Sequence, residues 1–133
     1  PAGASEAAVF CGGALCVSGP SWDEDRDFAS RLAADPAVAA WPLVALVDDA
    51  SAAAKDARSF LWHVFTRFEP GADVHAARTE IVRNQIARSA PIVLDARMKP
   101  WMPGVVEVDP ATAARVDRRW REYFSAGRAG SRL

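Results

Sequence analysis

Cysteine, histidine and long apolar runs are scarce in this chain, and each scarcity excludes something. Its 133 residues include two cysteines and two histidines. Cys11 and Cys16 flank Gly-Gly-Ala-Leu, a spacing that suits neither a redox Cys-x-x-Cys pair nor a zinc clamp. We therefore expect two buried thiols in a reducing compartment and a cytoplasmic protein. His63 and His75 have no cysteine or second histidine at ligand spacing, so no metal site is expected. Nor does either have the nucleophile and orienting acid that a hydrolytic triad needs. No apolar run reaches the roughly 18 residues of a membrane-spanning helix. No basic segment precedes the first apolar stretch, which argues against a signal peptide. A long basic stripe interleaved with aromatics is missing too, so nucleic acid is an unexpected partner.

What is present reads as an ordinary folded domain. Half of the residues are hydrophobic and a quarter are charged. A chain of this size buries about two-thirds of its unfolded surface, enough to fold without disulfides or metal. The net charge of −1 conceals an asymmetry. Residues 1–66 hold four basic and nine acidic side chains, and residues 67–133 hold twelve and eight. The opposite halves can meet within the fold or across a subunit contact.

Residues 7–17 are apolar throughout and end at Ser18-Gly19-Pro20, which predicts one or two buried strands with Gly12-Gly13 as a bulge or turn. Ser21 with Glu24 forms a capping-box pattern, so a helix is expected from there to Asp35-Pro36. Residues 37–41 predict a short second turn. Leu43-Val44-Ala45-Leu46-Val47 is the clearest strand, apolar on both faces as central strands of α/β sheets are. A helix is predicted over 52–68, with Ser51 as a candidate cap and Leu61, Phe65 and Phe68 at helical spacing. Its remaining circumference holds Phe60, Trp62 and Val64, which predicts a helix covered on both sides.

Residues 73–76 then read as a strand, residues 77–88 as a weak helix through Ile81, Val82 and Ile86, and residues 91–95 as another strand. A small strand is expected at 105–108, and Asp109-Pro110 opens a last helix. The expected fold is α/β: a two- or three-layer sandwich on a small mixed sheet, one domain over residues 1–126 with a flexible tail at 127–133.

Two apolar strands each end in aspartate, and the candidate residues gather there. Asp48 and Asp49 could hold a divalent cation at a strand's carboxyl end or cap the following helix; capping is favoured. Arg67, beside a wall of aromatics, suits a carboxylate ligand or an internal pair with Asp73, Asp95 or Asp48. The internal pair is favoured, because a lone buried guanidinium is costly. Asp95 and Lys99 read as a local pair. Trp101 and Met102 sit in a loop as candidates to face a substrate or partner.

This arrangement resembles the C-terminal domain of the UbiD decarboxylases. Val47-Asp48-Asp49 is similar to that family's Val-Asp-x-Asp turn. Leu61-Trp62-His63-Val64-Phe65-Thr66-Arg67-Phe68-Glu69-Pro70 is similar to its Leu-Trp-Ala-x-x-Thr-Arg-x-x-Pro helix end, and Asp73 follows. Asp95-Ala96-Arg97-Met98-Lys99 is similar to its Asp-Ala-Thr-x-Lys turn. His63 stands in place of alanine and Arg97 in place of threonine.

The resemblance covers residues 43–99 and implies a module, not a whole enzyme. In that family the Glu-Arg-Glu catalytic set lies upstream, with the ligands of prenylated flavin mononucleotide, divalent metal and potassium. No catalytic residue or cofactor is therefore expected in this chain. The implied function is that of a non-catalytic subunit beside a UbiD-like catalytic subunit, shaping the cleft and holding the assembly. That assembly would act on aromatic or unsaturated carboxylic acids. The alternative is a stand-alone homo-oligomeric binding module that keeps the fold without decarboxylation.

Overall fold

Strand β3, Leu43–Leu46, lies at the centre of a five-stranded sheet. It runs parallel to β2, Ala14–Ser18, on one side and to β5, Gln85–Asp95, on the other. Antiparallel strands close both edges: β1, Glu6–Phe10, beside β2, and β4, Val74–Val82, beside β5. The computed structural model describes residues 1–104 and 107–123. They fall into two compact units, Pro1–Met102, which holds the sheet, and a second one beginning at Pro103.

The period-two alternation of strands explains why the central ones are apolar on both faces. Leu15, Val17, Val44, Leu46 and Val93 bury against helix α1, Phe28–Ala33. Ala14, Cys16, Ala45 and Val47 turn the other way, towards helix α2, Ala50–Ala54, and helix α3, Ala57–Phe65. The expected α/β sandwich with a mixed sheet is thus observed, in three layers. Phe28 anchors the first layer at 2% exposure; burying such a ring contributes about 2–3 kcal/mol. Gly19 makes room for it, since a Cβ there would lie 2.6 Å from the ring.

Several local expectations need correction. The Ser21–Glu24 box forms, with Ser21 N donating to Glu24 Oε2 at 2.9 Å, but it closes a turn and α1 starts only at Phe28. The carbonyls of Pro20, Ser21 and Asp25 accept from the Arg97 guanidinium, and Ser21 O also accepts from Asp25 N at 3.2 Å, so the loop is held as a turn. The helix expected over 52–68 is two helices, because Asp56 is extended and its carboxylate caps α3 through Ser59 N at 2.7 Å. Asp49, not Ser51, caps α2, accepting from Ala52 N at 2.8 Å. On α3 only Phe60 and Val64 are buried, while Leu61, Trp62 and Phe65 are more than half exposed. The helix is not covered on both sides.

The weak helix expected over 77–88 is a β-hairpin. Arg83 and Asn84 both take positive φ, 52° and 62°, the pairing a tight two-residue hairpin turn demands. Ile81 and Ile86 then stand opposite each other as a cross-strand pair. Residues 7–17 do form two strands around a turn, but β1 is largely exposed and Cys11 lies in that turn, so only Cys16 is buried. Both thiols are free.

In the second unit, helix α4 spans Pro110–Tyr123. Asp109 caps it, accepting from Thr112 N at 2.9 Å, as the Asp-Pro signal predicted. Residues 105 and 106 of the expected strand, and the expected tail at 127–133, lie outside the described residues; Glu107 and Val108 are not in a strand. Among the described residues no helix is long and apolar enough to cross a membrane.

Candidate functional site

The carboxyl ends of β3 and β5 hold the polar centre of the sheet-bearing unit. At its heart is Arg97, whose side chain is 1% exposed. Its Nε donates to Asp95 Oδ1 at 2.9 Å and its Nη2 to Oδ2 at 2.7 Å, a bidentate fork. Its Nη1 donates to the carbonyls of Pro20 at 3.0 Å, Ser21 at 3.2 Å and Asp25 at 2.8 Å. One side chain therefore ties the end of β5 to the loop that leads into α1.

Lys99 does the same towards α3. Its Nζ lies 2.9 Å from Asp73 Oδ2 and donates to the carbonyls of Asp95 at 2.9 Å and Arg67 at 3.0 Å. Asp73 Oδ2 also accepts from Glu69 N at 2.8 Å. Backbone bonds pin the turn from below: Ala96 N donates to Leu46 O and Asp95 N to Asp73 O. Among the described residues no buried side-chain polar atom lacks a partner, so the desolvation of four buried charges is offset by complete pairing.

Arg67 and Asp48 form the outer pair, 2.5 Å apart, with side chains 14% and 38% exposed. The Asp48 carboxylate also accepts from Met98 N at 3.0 Å, so it joins the 95–99 turn to the residues after α3. Arg67 is thus paired with one of its three expected partners. The expected local pair of Asp95 with Lys99 is corrected: the amine bonds the carbonyl of Asp95, not its carboxylate, and forms its ion pair with Asp73. A planar fork fits a carboxylate better than a point charge does, and Arg97 takes that place. Asp49 turns away to cap α2.

Arg97 is the residue that sequence reasoning missed. Its only signals were its place two residues after a strand-end aspartate and its departure from the threonine of the motif that the 95–99 turn resembles. His75 sits nearby on β4, its Nδ1 2.9 Å from Ser30 Oγ. Burial lowers its pKa, outweighing the opposite pull of the Asp95 and Asp73 carboxylates. His63 is a helix residue whose Nδ1 lies 2.8 Å from Ser59 O, one turn back.

Aromatic side chains border this centre. Trp101, 58% exposed, donates from Nε1 to Glu69 Oε1 at 2.9 Å. It meets Trp22 edge-on at 4.9 Å, and Arg26 lies 4.5 Å over the Trp22 ring. Trp22 and Arg26 were not singled out from the sequence. Met102 is half-buried, its N donating to Lys99 O at 3.0 Å. Leu61, Trp62 and Phe65 add an exposed apolar stripe on α3, with Phe68 edge-on to Phe65 at 6.1 Å. Chemically, the charged groups hold a turn rigid and the aromatics present surface. Arg67, Arg97 and Lys99 are each paired with a carboxylate.

No family model matches the chain. It is 38% identical over 122 residues to a Chlamydia pneumoniae protein named as a subunit of 4-hydroxybenzoate decarboxylase, covering 92% of this chain and 20% of that protein. An uncharacterized protein of Chlamydia trachomatis is also 38% identical over 122 residues, 92% of this chain and 21% of its own length. An uncharacterized Chlamydia muridarum protein is 35% identical over 123 residues, 92% and 21% of the two chains. The chain thus spans about a fifth of the length of the curated relatives it matches.

Proposed function

We propose that these residues form the non-catalytic module of a UbiD-type decarboxylase or carboxylase that acts on aromatic or unsaturated carboxylic acids. The module works in the cytoplasm beside a flavin-binding catalytic part outside these 133 residues, shaping the substrate cleft and holding the assembly together. The observation that carries this reading is the similarity, over 92% of the chain, to a protein named as a decarboxylase subunit. The four motif blocks from Val47 to Lys99 agree with it.

The geometry supports a structural rather than a catalytic role. Arg97 and Lys99 are consumed by Asp95 and Asp73, and Arg67 by Asp48. Prenylated flavin mononucleotide, its divalent metal and potassium accordingly belong to the catalytic part. Exposed large aromatics such as Trp62 and Trp101 suit a contact surface, where tryptophan is enriched.

Affinity capture with the tagged chain from its native cells, followed by mass spectrometry, tests the reading. Recovery of a UbiD-type flavin protein, lost with Trp62→Ala or Trp101→Ala, is the expected result. Recovery of no flavin protein, or decarboxylation by the isolated chain, contradicts it.

A further inference from the structure

Strand β4 is a nine-residue edge strand whose outer side has no strand partner among the described residues. From Ala77 to Val82 its side chains are exposed, and Ile81 is 77% exposed. A long exposed edge is a template for another strand, and natural proteins usually blunt it. Blunting is incomplete here. The bulge at residues 76–78 twists the strand, but no proline or lysine follows it along the edge.

The charges along this edge select its occupant. Arg78 and Glu80 stand two apart on one face, their Nη2 and Oε2 atoms 2.7 Å from each other and their side chains 72% and 42% exposed. Between them is Thr79. Antiparallel pairing with an identical strand about a two-fold axis at Thr79 places Arg78 opposite Glu80 of the second copy, and Glu80 opposite its Arg78. Thr79 then faces Thr79 of the second copy, and Ile81 faces Ala77. Opposite charges and threonine pairs directly across a ladder are the favourable cross-strand combinations. The other open edges lack this self-complementarity. The free side of β5 over residues 85–91 carries Arg88 as its one charge, and β1 is five residues long with Glu6 as its one charge.

We propose that β4 pairs with β4 of a second copy of this chain, centred on Thr79, joining two five-stranded sheets into one of ten. This inference goes beyond the decarboxylase reading and does not rest on it. Pairing through the edge alone buries less than the roughly 800 Å² per partner of a stable interface. The dimer is therefore weak, concentration-dependent and weakened by salt.

Sedimentation velocity of the 133-residue chain over a concentration series tests this, with variants Arg78→Glu and Glu80→Arg. Each variant puts like charges across the two-fold axis and should weaken self-association at least tenfold. In an equimolar mixture of the two, one copy carries carboxylates at both positions and the other carries guanidinium groups at both. Opposite charges then face each other across the axis, so a mixed dimer should return. Both parent side chains are exposed, and thermal melts of the variants by circular dichroism should match the parent chain. Amide exchange on the unmodified chain, which needs no variant, should show protection over residues 77–81 rising with concentration. A monomer at millimolar concentration overturns the proposal. So does a dimer that both variants leave intact, or a mixture that restores nothing.

Discussion

Replacing Arg97 by alanine removes five side-chain hydrogen bonds at once: two to the Asp95 carboxylate and three to the carbonyls of Pro20, Ser21 and Asp25. Asp95, 1% exposed, is left with its charge buried and its main partner gone. Breaking a buried pair in this way costs about 3–5 kcal/mol. The carbonyls of the loop into α1 lose their shared donor as well, so the upper end is expected. Against a total stability of about 5–15 kcal/mol for a domain, the variant should be marginal. Arg97→Lys keeps the charge but offers three donors without the planar fork, and should fall between. Arg67→Ala should cost only about 1 kcal/mol, because its partner Asp48 is 38% exposed and the solvent screens the pair. Urea unfolding followed by fluorescence of the five tryptophans measures all three. If Arg97→Ala unfolds within 0.5 kcal/mol (roughly the effect of an ordinary surface substitution) of the parent chain, the reasoning about the buried pair is wrong.

Gly19→Ala drives a methyl to 2.6 Å from the Phe28 ring; overpacking of this kind costs about 1–3 kcal/mol, readable in the same unfolding experiment. Burial holds His75 below its ordinary value of 6.5, so the fold favours the neutral ring. Its contribution is therefore complete above about pH 6.5 and is lost as the pH falls through the lowered folded value. Unfolding of His75→Gln across pH 5 to 8 (roughly the range in which an ordinary histidine titrates) should show a shallower slope than the parent chain. Burial pushes the Cys16 thiol up to about 11, whereas Cys11 is exposed. A thiol reagent at neutral pH should label Cys11 in the native protein and reach Cys16 only after denaturation.

Where the physics is local, the sequence was legible. The five apolar residues from Leu43 predicted the central strand, and Asp49 and Asp109, both read as caps, do cap the helices they precede. Where a distant side chain competes with local preference, it was not. The Ser21 box looked like a helix start, but it closes a turn whose carbonyls also bond Arg97, some 76 residues away. Residues 52–68 looked continuous because Asp56 is a poor breaker by composition and becomes one only through its cap to Ser59. The hairpin at 74–95 was hidden because its turn uses Arg83 and Asn84 rather than glycine.

The same division holds for the candidate site. Asp48 and Asp95 were found as strand-end residues, with Arg67, Asp73 and Lys99 as pairing candidates, and the fold gathers them. Their pairing was not legible, since Arg and Lys two residues apart compete for the same carboxylates and only burial decides between them. Trp22 was passed over because it lies far from Trp101 in the chain, and the fold brings the two rings together.

The central claim, a non-catalytic module that serves a flavin-bearing catalytic part, is tested most directly by reconstitution. Carbon dioxide release from an aromatic carboxylic acid is measured for this chain alone, for a UbiD-type catalytic part lacking its own such module, and for the two mixed. The account predicts no release by the chain alone, release by the mixture above that of the catalytic part, and loss of the increment with Trp101→Ala. Release by the chain alone, or a mixture no different from the catalytic part, would contradict it.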